Sequence, residues 1–379
     1  MTIEDVDLLI VGGGKAGKTL AMERARAGQS VAMVERGMIG GTCINVACIP
    51  TKTVINSGRI LQDVRRAGEF GIAGVGEPRI DIELLRRRKE SVVDAMVQGQ
   101  FAAFTESGMD LILGEAKFVA PRTVQVALND GGVRTLRGAD VVLNLGMSPY
   151  LPDIEGLGSA GAHTSETLLR LDSLPESIIV LGGGYIGCEF ADVLNTLGVE
   201  VTVVQRGPLL LAREDNETSE GIAQAFLAAG ITLRLGETAR RVSRADDGTV
   251  SLALDSGAIL TASELLVAVG RTPETSEIGL EQAGVRLTDR GFIAVDEYLR
   301  TSAERVWAAG DAAGTPQFTH ASYDDYRVLA TNLAAQAGQG ELRSTQGRLI
   351  PYCVFTTPEL ARVGLTEAEA RAAGYDVRI

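Results

Sequence analysis

Histidine is nearly absent from these 379 residues: only two occur, His163 and His320, and the chain carries one tryptophan and 4% aromatic residues. With no second cysteine or histidine pair in ligand spacing, a structural zinc site is a poor reading. Four cysteines are too few for a disulfide scaffold in a chain this size. That places the protein in a reducing cytoplasm, where a closely spaced pair is more often catalytic or metal-binding. Positive charge is also short, with 36 Lys and Arg against 49 Asp and Glu and a net charge of −13. A polyanion needs a basic surface, so a nucleic-acid partner is not expected. No apolar run approaches the ~20 residues that span a bilayer, and a first strand expected from Val6 leaves no room for a leader. Neither a membrane partner nor export is expected.

What remains is an ordinary globular composition, 45% hydrophobic and 22% charged, long enough for two or three domains at roughly 100 to 200 residues each. Its 45 glycines come in clusters. The stretch VGGGKAGKTL, residues 11 to 20, satisfies two patterns together. Gly12, Gly17, Lys18 and Thr19 fit G-x-x-x-x-G-K-[ST], which holds a nucleoside triphosphate. Gly12, Gly14 and Gly17 fit G-x-G-x-x-G, which opens a dinucleotide-binding βαβ unit.

A repeat decides between them. IVGGGKAGKTLAMERARAGQSVAMVERG (10 to 37) aligns without a gap to VLGGGYIGCEFADVLNTLGVEVTVVQRG (180 to 207), at a constant offset of 170. Each copy reads as an apolar strand, a glycine turn, a helix and a second apolar strand. Gly182, Gly184 and Gly187 repeat the glycines of the first copy, whereas Lys18 and Thr19 are not part of what repeats. The glycines give a tight turn, close backbone approach to a pyrophosphate and close packing of helix on strand, with the helix N-terminus facing the phosphates. Glu35 ends the second strand of the first copy, about where an acid meets ribose hydroxyls. The Gly-Lys-Thr match is therefore a coincidence.

Immediately afterwards comes GGTCINVACIPTK, residues 40 to 52, with Cys43 and Cys48 in a loop that runs into a helix-like stretch. Two thiols there can close a small disulfide loop, and a helix N-terminus stabilises a thiolate. A pair of buried small hydrophobes fits as well. For Cys188 and Cys353, in apolar contexts, the buried small residue is the preferred reading.

The loop resembles the redox-active disulfide of the flavoprotein disulfide reductases, whose pattern is GGTC-x-N-x-GC-x-P-[ST]-K. Ala47 stands where glycine is usual. The resemblance continues through VVLNLGMSPYLPDIEG (141 to 156), LLVAVGRTP (265 to 273), VWAAGDAAG (306 to 314) and IPYCVFTTPELARVGLTEAEA (350 to 370). The combination of motifs is similar to a branch of mercuric-reductase-like and reactive-chlorine-resistance reductases. The resemblance implies an α/β protein of two Rossmann-like domains, one for FAD and one for a nicotinamide dinucleotide. The second is inserted in the first, and an α+β interface domain begins after them. The implied boundaries are 1–148 and 272–347 for the FAD domain, 149–271 for the nicotinamide domain and 348–379 for the start of a dimerisation domain.

For FAD the resemblance implies Gly12, Gly14, Gly17, Glu35, Gly41, Thr42, Lys52, a backbone contact at Ala116, Gly146, and Asp311 on the ribityl chain. For the nicotinamide dinucleotide it implies Gly182, Gly184, Tyr185, Ile186, Gly187, Glu189, Gln205, Arg206 and Gly270. Lys52 would pair with Glu189 beside the flavin, where a lone buried charge would be costly. Tyr185 would be an aromatic lid over it. Gln205 replaces the acid that repels a 2′-phosphate, and Arg206 and Arg213 supply positive charge, so NADPH is favoured over NADH. Hydride would pass from NAD(P)H through FAD to a Cys43–Cys48 disulfide. Cys48 would face the flavin and Cys43 would exchange with a disulfide or soft-metal-ion acceptor. The expected assembly is a homodimer. The family's H-P-x-x-x-E histidine–glutamate pair is not found, since neither histidine precedes proline. The interface domain is expected to be truncated and disulfide exchange slow, with His320 a remote substitute base. A flavin-binding redox sensor without efficient turnover is the alternative, and a P-loop nucleotidase a third class.

Overall fold

The computed structural model describes residues 2–379. The first stretch carries β1 (Ile3–Val11), α1 (Lys15–Arg26), β2 (Val31–Glu35), α2 (Thr42–Asn45), α3 (Cys48–Arg65) and α4 (Ile82–Ser107). Next come β3 (Asp110–Ala120), β4 (Thr123–Leu128), β5 (Val133–Leu143), β6 (Met147–Pro149) and α5 (Ser165–Leu168). The second repeat follows as β7 (Ser177–Leu181), α6 (Tyr185–Thr196), β8 (Glu200–Gln205), α7 (Asn216–Ala228) and β9 (Thr232–Leu235). Then come β10 (Ala239–Arg244), β11 (Val250–Leu254), β12 (Ile259–Ala262), β13 (Glu264–Val267) and β14 (Arg271–Pro273). The chain closes with β15 (Val306–Ala308), α8 (Thr319–Gln336), β16 (Tyr352–Val354), β17 (Leu360–Arg362) and α9 (Glu367–Ala372). The first strand starts at Ile3, three residues before the apolar run that signals it, because Ile3 to Val6 pair with Thr135 to Gly138 of β5.

The chain divides into two compact units: Met1–Asn45 with Val93–Ser148 and Thr272–Ile350, and Val46–Val92 with Pro149–Arg271 and Pro351–Ile379. In the first unit β2 and β5 flank β1 in parallel, β3 follows β2, and β15 follows β5. Leu8 to Val11 are all buried, as expected of a central parallel strand covered on both faces. Side chains alternate between two cores. Leu9 and Val11 join Ala32, Val34, Val141 and Leu143, while Leu8 and Ile10 join Met33, Val142 and Trp307 beneath α1 and α8. β3 outlasts its pairing with β2 and its remaining length pairs antiparallel with β4, which also pairs antiparallel with residues 133–137 of β5.

In the second unit the order β13-β7-β8-β9 is parallel, and β10, β11 and β12 form an antiparallel sheet. Ile178 and Val180 face a core with Val201, Val203, Cys188 and Leu194, and Ile179 and Leu181 face Val242, Val250 and Leu252. Val46–Val92 belongs here because α3 lies on α6. A Cβ on Gly58 would touch Val193 and Thr196 at 3.4 Å, Gln62 donates to the Thr196 hydroxyl at 2.7 Å, and Arg65 donates to its carbonyl at 2.7 Å. The 1–148 stretch is thus shared between the units. The hairpin of β16 and β17 buries Val354 and Leu360 in this same core. The helix after it, α9, is closed by a capping box between Thr366 and Glu369.

Candidate active site

The repeat holds residue for residue. α1 begins at Lys15 and α6 at Tyr185, and β2 ends at Glu35 and β8 at Gln205, so each pair differs by 170 (185 − 15; 205 − 35). Gly12 has φ +95° and Gly182 φ +115°, a region that strains any L side chain. Their N–H groups donate to the Val34 and Val204 carbonyls at 2.9 and 2.8 Å. A Cβ on Gly12 would run into the Asn144 carbonyl, and one on Gly187 into the Gly182 carbonyl. These are backbone cradles with no room for side chains, and neither N-cap glycine, Gly14 or Gly184, caps its helix with a side chain. That fits one dinucleotide pyrophosphate at each helix N-terminus.

Strand ends complete both cradles. Glu35 Oε2 accepts the Gly13 N–H at 2.8 Å, and Oε1 accepts those of Gly37 and Met38 at 3.0 Å each. Gln205 Oε1 accepts the Gly183 N–H at 3.0 Å. One position thus does the same backbone work in both units, with a charge only in the first. Arg206 and Arg213 are exposed. Gly270 has φ +148° and its carbonyl accepts the Tyr150 N–H at 3.0 Å. Ile186 sits in the first turn of α6.

Lys18 and Thr19 do not face a phosphate tail. The Thr19 hydroxyl turns back to the Lys15 carbonyl at 2.6 Å, and Lys18 is buried with its Nζ donating to the Gly40 carbonyl at 2.9 Å. The P-loop reading therefore fails on geometry. Lys18 is nonetheless no idle match: burial, reinforced by the Lys15 ammonium and opposed by Cys43, lowers its pKa to about 8. Sequence reasoning also missed Asn144. Buried, its Oδ1 accepts the Gly17 N–H at 3.0 Å and its Nδ2 donates to the Ala309 carbonyl at 2.8 Å, while the Ser322 hydroxyl accepts the Ala16 N–H at 3.3 Å. Two first-turn amides of α1, expected to be open to phosphate, are taken by these side chains. Asp325 is a second omission. Fully buried, it accepts from the Gly310 N–H, the Thr315 hydroxyl and Arg348, at 2.7, 2.7 and 2.6 Å, and so fixes the turn that carries Asp311. No local motif announces Asp325, and the 141–156 motif that contains Asn144 gives that side chain no role.

The cysteine loop starts on the first glycine turn. Gly41, at φ +83°, lies so close that a Cβ there would be 3.2 Å from Gly14 Cα. Thr42 and Cys43 are on α2 and Cys48 opens α3, with both thiols partly exposed. Ala47 is the N-cap of α3 at φ −128°, so no glycine is required there. Cys188 is buried, and burial above all pushes its thiol far up. Cys353 is only half-buried, contrary to expectation, because it sits on the short β16.

One turn into α3, Lys52 donates to Glu189 Oε2 at 2.5 Å, and its Nζ stands 4.9 Å from the Phe355 ring centre. Glu189 is buried, and its Oε1 accepts the Phe355 N–H at 3.0 Å. The ion pair expected from sequence is formed, and its acid has no oxygen left over. Tyr185 opens α6 and donates to Glu214 Oε1 at 2.6 Å; Tyr352 donates to the same oxygen at 2.6 Å. Burial first, then hydrogen bonding to Glu214, raises both phenols, which stay protonated donors at neutral pH.

Other expected positions are less engaged. Ala116 is buried on β3 opposite Val126, and Gly146 has φ +75° with its carbonyl accepting the Glu274 N–H at 3.1 Å. His163 faces Glu264 at 3.4 Å from Nε2, and His320 is exposed and stacked on Phe318. Among the described residues no group of three or more His, Cys, Asp or Glu is arranged to hold a metal ion. Nor is any helix long and apolar enough to cross a membrane.

Two dinucleotide cradles, one carrying a dithiol motif on its own turn, define a flavin- and nicotinamide-dependent oxidoreductase. Comparison with known proteins gives the family. Residues 6–325 match the model for pyridine nucleotide-disulphide oxidoreductases and residues 350–379 that family's dimerisation domain, and the chain belongs to this family. It is 36% identical over 371 residues to mercuric reductase of Streptomyces lividans, covering 97% of this chain and 77% of that one. It is 36% identical over 375 residues to the probable pyridine nucleotide-disulfide oxidoreductase RclA of Escherichia coli K12, covering 98% and 80%. The Cu(II) complex of RclA, the HOCl-induced flavoprotein disulfide reductase of Escherichia coli, superposes with a TM-score of 0.88 at 35% identity, covering 99% of this chain and 80% of that one. The protein is an NAD(P)H-dependent flavoprotein oxidoreductase that uses FAD.

Proposed function

We propose that the protein passes two electrons from NADPH through FAD to a Cys43–Cys48 couple, which hands them to a disulfide or a soft metal ion. The observation that carries this reading is the seat of the GGTC loop on the first glycine turn, with Gly41 against Gly14. A dithiol motif that begins on the pyrophosphate cradle has its redox partner supplied by the cofactor held there. FAD, when bound, supplies a two-electron acceptor for hydride.

The chain's own residues do the rest. Gly12, Gly14, Gly17 and Glu35 hold FAD, with Gly41, Thr42, Ala116, Gly146 and Asp311 as further contacts. Gly182, Gly184, Ile186, Gly187 and Gly270 hold the nicotinamide dinucleotide. Neutral Gln205 does not repel a 2′-phosphate, and exposed Arg206 and Arg213 attract one, which favours NADPH. Lys52 keeps a positive charge fixed at α3, with Glu189 offsetting its desolvation. Cys48 opens the helix and is assigned the flavin-facing sulfur, and Cys43 the exchanging one. The Cys43 thiolate attacks one sulfur of the acceptor, forming a mixed disulfide and expelling the first thiolate. The Cys48 thiolate then attacks Cys43 Sγ, expelling the second thiolate and closing Cys43–Cys48. Two electrons leave the dithiol per acceptor disulfide reduced. A Hg(II) ion bound as substrate would take the same two electrons, and two Cu(II) ions would take one each.

The matched dimerisation segment and the exposure of Val363, Leu365 and Tyr375 support a homodimer. The test uses Cys43→Ser and Cys48→Ser holoproteins. Both should keep FAD and bleach its visible band when mixed anaerobically with NADPH, yet lose turnover with disulfides and with Hg(II) or Cu(II). Turnover that survives in both variants refutes the dithiol assignment.

A further inference from the structure

Lys18 is buried on α1, and its ammonium is turned to the backbone of the cysteine loop: Nζ donates to the Gly40 carbonyl at 2.9 Å, three residues before Cys43. The turn it meets is closely held. Gly40 and Gly41 follow each other at φ +89° and +83°, and the Gly41 N–H donates to the Met38 carbonyl at 2.7 Å. Asn45 Nδ2 donates to the Ile39 and Gly41 carbonyls at 2.9 Å each. A Cβ on Gly40 would stand 2.8 Å from Ile44 Cδ1, 3.1 Å from Gln100 Cγ and 3.5 Å from Lys18 Nζ. Two successive left-handed glycines thus let the ammonium reach the peptide chain where a side chain would crowd it.

A buried ammonium is normally matched by a carboxylate, because desolvation otherwise disfavours its charged form. Among the described residues no carboxylate acts on Lys18. From α4 it meets the neutral Gln100. Two charges bear on it: the Lys15 ammonium of α1, which repels and lies 4.9 Å from the Tyr323 ring centre, and Cys43, whose thiolate attracts. Cys43 is therefore the group that can supply the missing negative charge. It does so only when reduced and ionised, since a disulfide carries none.

We propose that Lys18 is a positioning residue for the dithiol, the buried counter-ion of the Cys43 thiolate. Two electrons open the Cys43–Cys48 disulfide into two thiolates, and the ammonium holds the first of them ionised. The attraction is mutual, so a charge that is costly beside a disulfide favours the reduced pair and keeps Cys43 ready for attack. The proposal rests on the assignment of Cys43 to exchange chemistry.

The rate of Cys43 alkylation by iodoacetamide tests it, read by peptide mass spectrometry in Cys48→Ser holoprotein, where no Cys43–Cys48 disulfide can form. Adding Lys18→Met should slow the reaction about threefold at pH 7: one unit of pKa removes about tenfold in thiolate and returns about threefold in nucleophilicity. Lys18→Gln keeps a donor for the Gly40 carbonyl and loses the charge, and should match Lys18→Met. Burial brings the Lys18 pKa down to about 8, so the side chain is neutral at pH 10 and all three proteins should react there at equal rates. A merely structural role does not produce that convergence. Cys353, in the second unit, is the reference thiol and should react alike throughout. Equal rates at pH 7, a difference that persists at pH 10, or a Lys18→Gln protein as fast as Lys18 itself overturns the counter-ion. Turnover that survives in Cys43→Ser strikes the exchange assignment instead, and the alkylation rates tell the two failures apart.

Discussion

Lys18 should weigh against the stability of the protein it belongs to. The residue is 4% exposed, with the Gly40 carbonyl at 2.9 Å from Nζ. Burial is the main cause that takes its pKa from 10.5 to about 8. At 1.36 kcal/mol for each unit of pKa, holding the charged form inside the fold costs about 3 kcal/mol at neutral pH. The sign follows from proton counting. Between pH 8 and 10.5 the unfolded chain keeps a proton that the folded one has released, so stability rises with pH across that window. Below pH 8 the cost is present in full. Lys18→Met removes the charge and keeps the bulk, while leaving the Gly40 carbonyl without that donor, a loss of about 1 kcal/mol. The FAD-free variant should therefore be more stable than wild type by about 2 kcal/mol at pH 7, with the gap closing as pH rises towards 10.5 and then reversing to about 1 kcal/mol in favour of wild type. Urea unfolding followed by tryptophan fluorescence reads the right unit, because the sole tryptophan, Trp307, is buried in the same unit and packs in the same core as Leu20 and Ala21 of α1. A variant less stable at pH 7, or a gap that stays constant with pH, would show that Lys18 is compensated in a way the buried geometry does not contain.

Gly187→Ala should abolish NADP+ binding by calorimetry while FAD content stays at the wild-type level, since the added methyl collides with the Gly182 carbonyl inside the second cradle alone. Retained affinity would mean the turn is not the nicotinamide site. Asp192 is buried, and burial raises its carboxyl to about 6 from 3.8, so the ionised form costs about 3 kcal/mol above pH 6 and the cost fades as pH falls towards 4. Asp192→Asn should stabilise α6 at pH 7 and make no difference at pH 4, measured by amide hydrogen exchange; equal protection at both pH values would refute the reading.

The repeat was legible because a glycine turn between two buried parallel strands imposes the same backbone on both copies. Strand, helix and acid positions therefore recur at an offset of 170 in sequence and in space. The Lys52–Glu189 pair was legible through motif spacing, and its formation needs only that α3 lie on α6. Asn144, Asp325 and Glu214 were not legible. Each acts through tertiary contacts to backbone or side-chain groups distant in sequence, and a buried polar residue carries no periodic signature. In the sequence Lys18 falls outside what repeats. Its counterpart at the same helix position is Cys188, buried like Lys18. The fold thus demands a buried residue there, not an apolar one, and the first copy fills the place with a charge.

Three acids of the second unit converge on one short segment. Glu214 takes the Tyr352 hydroxyl at 2.6 Å, Glu189 the Phe355 N–H at 3.0 Å and Asp192 the Thr357 hydroxyl at 3.2 Å. Two of the three also hold a residue assigned to catalysis or cofactor binding, Glu214 the Tyr185 phenol and Glu189 the Lys52 ammonium. Because each carboxylate has only two oxygens, the hairpin and the site share acceptors. In Glu214 both phenols share a single oxygen, whereas in Glu189 each oxygen has its own donor. Displacing Tyr352 should therefore strengthen the hold on Tyr185, while displacing Phe355 would leave the Lys52 pair intact. Sensitivity to the hairpin is thus expected at Tyr185 and not at Lys52.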